Sequence, residues 1–340
     1  MTSGIGRAEL RDTALTLAIA GAGALLFWLI GFPAPVLTGP AAAVTAASLV
    51  GVPTGIPDLV RNVCFLALGM SIGATITPEV IRTAALWPAT LAVLFATLVV
   101  GLVINRRALG RLFSYDRETA FLASVPGHMS YVFALSQNLQ VDQARIGIVQ
   151  ALRVLVMTLA VPFLLGLTIE TEGAAPQPNT MSLMAGFATL AASIALGALF
   201  LRLNLPAALL LAGMAASGFA HATGLVSGGM PIWAVTFAFL VLGALIGTRF
   251  RGRSPSELGN AAVASVVVTS VVLAVAAVAA LLCSRLLGLS PATLFVAFAP
   301  GGLEAMIAMS VQLDLDPAFV AAHHVVRLLI LTVLVPVMLR

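Results

Sequence analysis

Two short breaks interrupt otherwise continuous apolar sequence, and they constrain this chain more than any other feature in it. Val125-Pro126-Gly127-His128-Met129-Ser130 and Ala299-Pro300-Gly301-Gly302-Leu303-Glu304 lie 174 residues apart, counted from Pro126 to Pro300. Proline removes a backbone donor and glycine tolerates non-helical dihedrals, so each break opens a helix and frees carbonyl and N–H groups. In hydrocarbon such groups are tolerated only where protein or a water-filled cavity meets them. A chain that carries this device twice must fold so that both breaks are covered.

The breaks belong to a larger duplication. Residues 126–162 laid on 300–336 without a gap are identical at 12 of 37 positions, including Pro126/Pro300, Gly127/Gly301, Ser136/Ser310, Asp142/Asp316, Arg153/Arg327 and Pro162/Pro336. The same offset matches Leu68-Gly69…Ile72-Gly73 with Leu242-Gly243…Ile246-Gly247. Shared apolar composition supplies matching leucines and valines, but it does not align prolines, an Asp and an Arg in register. The division expected from this is a first membrane repeat over 1–167, a linker over 168–180 holding Glu170, Glu172, Pro176 and Pro178, and a second repeat over 181–340.

The surroundings of the breaks are membrane-like. Hydrophobic residues make up 60% of the chain and charged residues 9%, against about 25% charged in soluble domains; the mean hydropathy is +1.09. The fold class is therefore an all-α polytopic membrane protein, with about 10–12 membrane helices or half-helices expected. The net charge of +4 comes entirely from arginines scattered between apolar spans, which suits topology rather than nucleic-acid binding. Cys64 and Cys283 are isolated in apolar sequence and suggest neither a disulfide framework nor a metal site.

Helical spans are expected near 13–30, 36–50, 59–76, 83–104, 117–138 and 143–167, and again near 182–202, 206–222, 231–248, 259–287, 290–312 and 317–339. The richest arginine clusters, Arg106/Arg107/Arg111/Arg117 and Arg249/Arg251/Arg253, should both face the cytoplasm. They occupy different places in the repeat, so equivalent segments lie on opposite sides of the membrane. That is an inverted-topology repeat, which requires an odd number of crossings per unit. Six spans per unit are even, so one stretch, with 182–202 as the first candidate, is expected not to cross simply.

Several polar residues fall in the apolar runs. Arg153 and Arg327 sit mid-span, where a charged side chain costs roughly 2.5–3.5 kcal/mol on insertion scales unless paired or wetted. Each guanidinium either caps carbonyls freed by a break or binds an anion or carboxylate bidentately. Glu304 opens the half-helix after the second break, as a capping or ion-paired carboxylate or as a proton or cation site. Its repeat equivalent is Ser130, and Gly302 is matched by His128, which either titrates near neutral pH or bonds a helix end. The architecture repeats while the chemistry differs, which suits one asymmetric site between the repeats. His323 and His324 lie within one helical turn of Arg327. No carboxylate or cysteine accompanies them at metal-ligand spacing, and no P-loop, catalytic triad order or zinc signature is present. An enzyme, a metal or a cofactor is not expected. Asp142 and Asp316 read as N-caps, and Gly69/Gly73 and Gly243/Gly247 as G-x-x-x-G packing pairs.

The duplicated unit and the paired motifs Val125-Pro126-Gly127-His128-Met129 and Ala299-Pro300-Gly301-Gly302-Leu303-Glu304-Ala305-Met306 resemble the bacterial AbrB family of duplicated membrane proteins, over about residues 30–340. Names used in that family point to transcriptional regulation or ammonia oxidation; the chain has neither a DNA-binding module nor a His and carboxylate cluster to hold copper or iron. Pro300-Gly301-Gly302 and Leu68-Gly69-Met70-Ser71-Ile72-Gly73 are more distantly similar to the broken-helix and Gly-rich motifs of bile-acid/sodium symporters. That similarity implies five-helix inverted repeats whose two broken helices cross at mid-membrane and bind substrate there. The resulting expectation is an inner-membrane secondary transporter of a small anionic or carboxylate-bearing solute, with proton coupling. Its site would comprise Pro126, Gly127, His128, Ser130, Arg153, Pro300, Gly301, Gly302, Glu304, His324 and Arg327. Its partners are the lipid bilayer, the solute and, as an open question, further copies of the chain. The alternative is a membrane-embedded sensor that influences gene expression through a partner bound at the arginine-rich segments 105–117 and 249–257.

Overall fold

A computed structural model describes residues 6–76, 87–127, 129–137, 139–167 and 179–339, the side chains of Ser130, Ser256 and Glu257 excepted. Within these the chain forms fourteen helices. The first half holds α1 (Arg7–Leu29), α2 (Pro35–Leu49), α3 (Asp58–Gly73), α4 (Trp87–Phe113), α5 (Arg117–Ser124), α6 (Met129–Ser136) and α7 (Gln143–Gly166). The second half holds α8 (Leu183–Arg202), α9 (Ala208–Ala222), α10 (Ile232–Thr248), α11 (Pro255–Leu287), α12 (Pro291–Phe298), α13 (Leu303–Gln312) and α14 (Pro317–Leu339). Six of them (α1, α4, α7, α8, α11 and α14) are long and apolar enough to cross a membrane by length and composition. The protein is an all-α, multi-pass membrane protein.

The duplication runs through the whole set of elements. The offset of 174 carries α3 onto α10, α5 onto α12 and α7 onto α14, and the break itself onto the break. Before α3 the offset is 173, because the segment 223–231 is one residue longer than its counterpart 50–57. Backbone geometry repeats with the same offsets: the left-handed residues Gly31 and Asn204 (φ 69° and 52°), Ala34 and Ala207 (φ 52° and 48°), and Ser114 and Gly288 (φ 54° and 68°) are equivalent pairs.

The helices pack as two compact units, and each draws on both halves of the chain. One comprises Met1–Arg82, Val161–Arg253 and Ile307–Ala318; the other comprises Thr83–Ala160, Ser254–Met306 and Phe319–Arg340.

In the first unit, the two G-x-x-x-G pairs make the closest contacts. A Cβ on Gly69 would meet the Leu210 carbonyl and one on Gly73 would lie 2.6 Å from Ser217 Cβ; on Gly243 it would meet the Leu37 carbonyl and on Gly247 lie 2.7 Å from Val44 Cβ. Small residues let backbones touch where lipid supplies no hydrophobic drive. Sequence numbers rise together across both contacts, so α3 runs parallel to α9 and α2 parallel to α10. Arg251, just past α10, donates from Nη1 to the Thr54 carbonyl (2.8 Å) and from Nη2 to Asp12 Oδ2 (3.1 Å). Thus α3 starts where α2 and α10 end, and runs against both. It follows that α2 and its repeat equivalent α9 point in opposite directions.

The second unit gives the same result independently. Asn105 Nδ2 donates to the Val268 carbonyl at 3.3 Å, and a Cβ on Gly101 would lie 3.3 Å from Val272 Cγ1. Numbers fall on α11 as they rise on α4, so these equivalent helices are antiparallel. The repeat is inverted, as the arginine distribution led one to expect.

The stretch that does not cross is 117–138, and not 182–202, which forms the uninterrupted helix α8. Asp142 N donates to Thr119 Oγ1 (3.1 Å), Gln150 Nε2 to the Leu122 carbonyl (3.1 Å) and Arg153 Nη2 to the Val125 carbonyl (3.0 Å). α5 therefore runs alongside α7 in the same direction, from the level of residue 142 to that of residue 153. If α6 continued onward, residue 136 would end about 30 Å from residue 142 at 1.5 Å per helical residue, and six extended residues reach only about 21 Å. Instead α6 returns: a Cβ on Gly147 would lie 3.1 Å from Phe133 Cζ. α5 and α6 form a re-entrant hairpin whose tip is the Pro-Gly break. The second half repeats the contacts, His324 Nε2 meeting the Val296 carbonyl (3.0 Å) and Arg327 Nη1 and Nη2 the carbonyls of Ala299 and Gly301 (3.4 and 2.8 Å). Each repeat thus comprises five helices and one hairpin, and three of the five in each (α1, α4 and α7; α8, α11 and α14) are long and apolar enough to cross a membrane. The broken helix that traverses the membrane, implied by the symporter resemblance, is replaced by a turn.

Two boundaries also move. α4 runs on to Phe113, through Arg106 and Arg107, because arginine is a good helix former and needs no loop to reach water. α11 starts at Pro255 and bends at Gly259 (φ 29°, ψ −126°). The expected N-caps are present: Asp142 Oδ1 accepts from Arg145 N (3.0 Å), and Asp316 Oδ1 from Ala318 N (3.0 Å).

Candidate functional site at two hairpin tips

The second unit brings both breaks together. Gly127 is left-handed (φ 81°), and a Cβ there would lie 2.8 Å from Arg327 Nη2 and 3.5 Å from the Gly301 carbonyl. A Cβ on Gly302 would lie 3.7 Å from Val154 Cγ1, one residue from Arg153. Each tip is thus in contact with the other repeat, and glycine at 127 is required by φ and by space at once.

Arg153 and Arg327 meet at this crossing and are almost completely buried, at 1% and 0% exposure. α5 and α12 end abruptly at the breaks, leaving carbonyls with no intrahelical donor. Arg153 donates to two of them, Ser124 O (Nη1, 3.4 Å) and Val125 O (Nη2, 3.0 Å). Arg327 donates to the Ala299 carbonyl, which also accepts from Gly301 N, and to the Gly301 carbonyl beyond the break. Both guanidinium groups meet carbonyls at the breaks, and two things are left over. Among the described residues, neither guanidinium has a carboxylate within ion-pair distance. Nor does the Nε–H of either arginine find a partner. Carbonyl oxygens solvate a cation without neutralising it, so both positive charges persist inside the protein.

Glu304 lies half-buried in the first turn of α13, three residues past Gly301, whose carbonyl Arg327 bonds. The helices α6 and α13 begin at the tips where α5 and α12 end, so their dipole ends are of opposite sign there and largely offset one another. Ser130 falls in the first turn of α6, equivalent to Glu304. His128 lies outside the described residues, as does Asn138. Pro126 and Pro300 line a cavity of about 20 Å³ with Ser124, Thr97, Gly101 and Phe298, which is room for about one water.

The two neighbouring histidines have other duties. His324, fully buried, bonds the Val296 carbonyl through Nε2, while its Nδ1 has no partner among the described residues. Gln150 occupies the equivalent position and makes the equivalent bond to Leu122, so both are straps that hold a hairpin against the following helix. His323 bonds the Phe319 carbonyl and Thr90 Oγ1, both at 2.8 Å, and packs among Phe319, Trp87 and Phe298. Gln137 is exposed, at the outer end of the first hairpin. No cluster of three potential metal ligands occurs among the described residues.

Sequence reasoning passed over Gln150, Ser124 and Asn105. Gln150 carried a usable signal, since the offset of 174 sets it opposite His324 in a buried run. Ser124 and Asn105 (0% exposed, facing α11) carried none, because their partners are backbone carbonyls.

The chain is similar in sequence to known proteins. A family model described as "AbrB: Transition state regulatory protein AbrB" matches residues 36–340. The chain is 29% identical over 252 residues to "Uncharacterized protein YhjN" of Bacillus subtilis (strain 168), covering 69% of this chain and 66% of that one. It is 24% identical over 310 residues to "Putative regulator AbrB" of Escherichia coli (strain K12), covering 89% and 88%.

Proposed function

Because this chain belongs to the AbrB family and is a multi-pass membrane protein, we propose that it is a secondary transporter of a small anionic or carboxylate-bearing solute, bound where the two hairpin tips meet. The observation that carries the reading is the pair of buried arginines without carboxylate partners among the described residues. An anion is the ligand that would neutralise them, and their unpartnered Nε–H groups are donors suited to its oxygens. An inverted repeat with interrupted helices meeting inside it is also the architecture on which transporters build midplane sites. Glu304 is the group on which coupling to protons would depend. The protein would sit in the bacterial inner membrane with its arginine-rich segments toward the cytoplasm, without acting as an enzyme.

The test is uptake of labelled small carboxylates and inorganic anions into proteoliposomes. Arg153→Gln and Arg327→Gln should each lower uptake at least about tenfold, since the loss of one charged contact is worth about 1.5–3 kcal/mol. Arg106→Gln with Arg107→Gln should leave uptake unchanged. Undiminished flux of a transported anion in both tip variants would refute the reading.

A second reading has support in the name of the Escherichia coli relative. There the protein senses or regulates through a partner bound at its arginine-rich segments, and neutralising Arg106, Arg107 and Arg111 would abolish a change in gene expression that the tip variants leave intact.

A further inference from the structure

The charges at the hairpin crossing are few enough to count. Among the described residues, Arg153 and Arg327 contribute two positive charges and Glu304 one negative charge, giving a formal sum of +1. His323 and His324 are fully buried, and a neutral ring's single N–H serves the one carbonyl each of them meets; they are counted as neutral. His128 lies outside the described residues. The helix dipoles nearly cancel, because the negative ends of α5 and α12 lie at the same tips as the positive ends of α6 and α13.

Glu304 differs from three other carboxylates that lie near a guanidinium. Asp12, Asp58 and Asp142 each form an ion pair with an arginine. Glu304 forms none among the described residues, although it lies three residues past Gly301, whose carbonyl Arg327 bonds at 2.8 Å. It therefore offsets charge at the crossing without occupying the arginine donors, and those donors stay available to a ligand. A site closed from water tolerates little uncompensated charge, since buried charge that is left unpaired is costly.

We infer that Glu304 sets the valence of the bound anion, tuning the arginine pair to a small monoanion such as a monocarboxylate and against dianions. The inference rests on the transport reading above and deepens it. A monoanion brings the crossing from +1 to zero, whereas a dianion leaves it at −1. With Glu304 neutral the arginine pair alone carries +2, and a dianion becomes the matching ligand. Glu304 is in this sense a specificity-determining residue rather than an anion contact.

The experiment measures ligand-induced thermal stabilisation of the purified full-length protein at fixed pH and ionic strength. The probes are acetate and propanoate, malonate and succinate, and neutral acetamide as a control; dissociation constants follow from the dose dependence. In the wild type the monoanions should bind more tightly. In Glu304→Gln the ratio of dianion to monoanion affinity should rise by roughly ten- to a hundredfold, the size expected for one unit charge acting over several ångströms in a partly screened interior. Glu304→Asp should keep the wild-type ratio, which separates charge from shape. A ratio unchanged in Glu304→Gln, with binding still abolished by Arg327→Gln, overturns the valence inference and leaves the anion site standing. If no anion stabilises the wild type, or if Arg327→Gln leaves all binding intact, the site assignment and the inference fall together.

Discussion

Replacing Gly127 with alanine tests whether the hairpin tip and Arg327 form one fitted unit. Two costs add. A non-glycine residue in the left-handed region costs about 1–2 kcal/mol. The new Cβ would lie 2.8 Å from Arg327 Nη2, too close for van der Waals contact, so the guanidinium must move. The same Nη2 makes the 2.8 Å bond to the Gly301 carbonyl, and hydrogen bonds to charged groups contribute about 1.5–3 kcal/mol. Gly288 provides the reference: it too is left-handed (φ 68°), but a Cβ there meets nothing within 4 Å. Gly288→Ala should cost only the conformational part, about 1–2 kcal/mol. Gly127→Ala should cost about 2.5–5 kcal/mol, the sum of both parts. Equilibrium unfolding of the detergent-solubilised protein, followed by circular dichroism for both variants, gives the difference. If the two substitutions cost the same, Arg327 is not held against the first hairpin tip as described.

Further outcomes follow from the same packing. Gly69→Ala places a methyl group on the Leu210 carbonyl where two backbones touch, so it should destabilise by at least about 3 kcal/mol or prevent folding. Gly21→Ala, also in a helix interior but with open space around it, should instead stabilise by roughly 0.5–1 kcal/mol; thermal melts of the two variants decide the comparison. His221 bridges the carbonyls of Ser217 and Gly228, both at 2.8 Å. His221→Ala should therefore speed hydrogen exchange at Gly229 and Met181, whose amides tie this segment to the start of the second repeat, by roughly five- to tenfold for about 1 kcal/mol lost.

Much of this fold could be read from the chain, and the reasons differ by element. The breaks were legible because Pro-Gly pairs are rare within apolar runs, and the duplication because Asp142/Asp316 and Arg153/Arg327 have no compositional excuse for aligning. Inversion followed from where the arginines fall. The course of the chain after each break was not legible, because a Pro-Gly break only interrupts a helix. Its direction is decided by contacts made from Thr119, Gln150 and Arg153, whose partners lie 23–29 residues away. For that reason the hairpin was counted as a span. The repeat before α3 was hidden by the single extra residue in 223–231, which shifts the register just where few identical residues mark it. At the site, Arg153 and Arg327 stood out as charges in apolar runs. Their convergence did not, since the periodicity of α7 and α14 says only which way each faces within its own helix.

Two hairpins that enter from opposite sides and meet at the arginine pair must have their mouths on opposite faces of the membrane. Single cysteines at Ser114, Gln140, Ser290 and Asp314, all exposed, can be placed in a chain whose Cys64 and Cys283 are replaced by alanine. An impermeant maleimide is then applied to right-side-out and inverted vesicles. Labelling of 114 and 140 from one side, and of 290 and 314 from the other, is the predicted result. Labelling of 114 and 140 from opposite sides would mean that the broken element crosses the membrane after all, and labelling of all four from one side would mean that the repeats are not inverted.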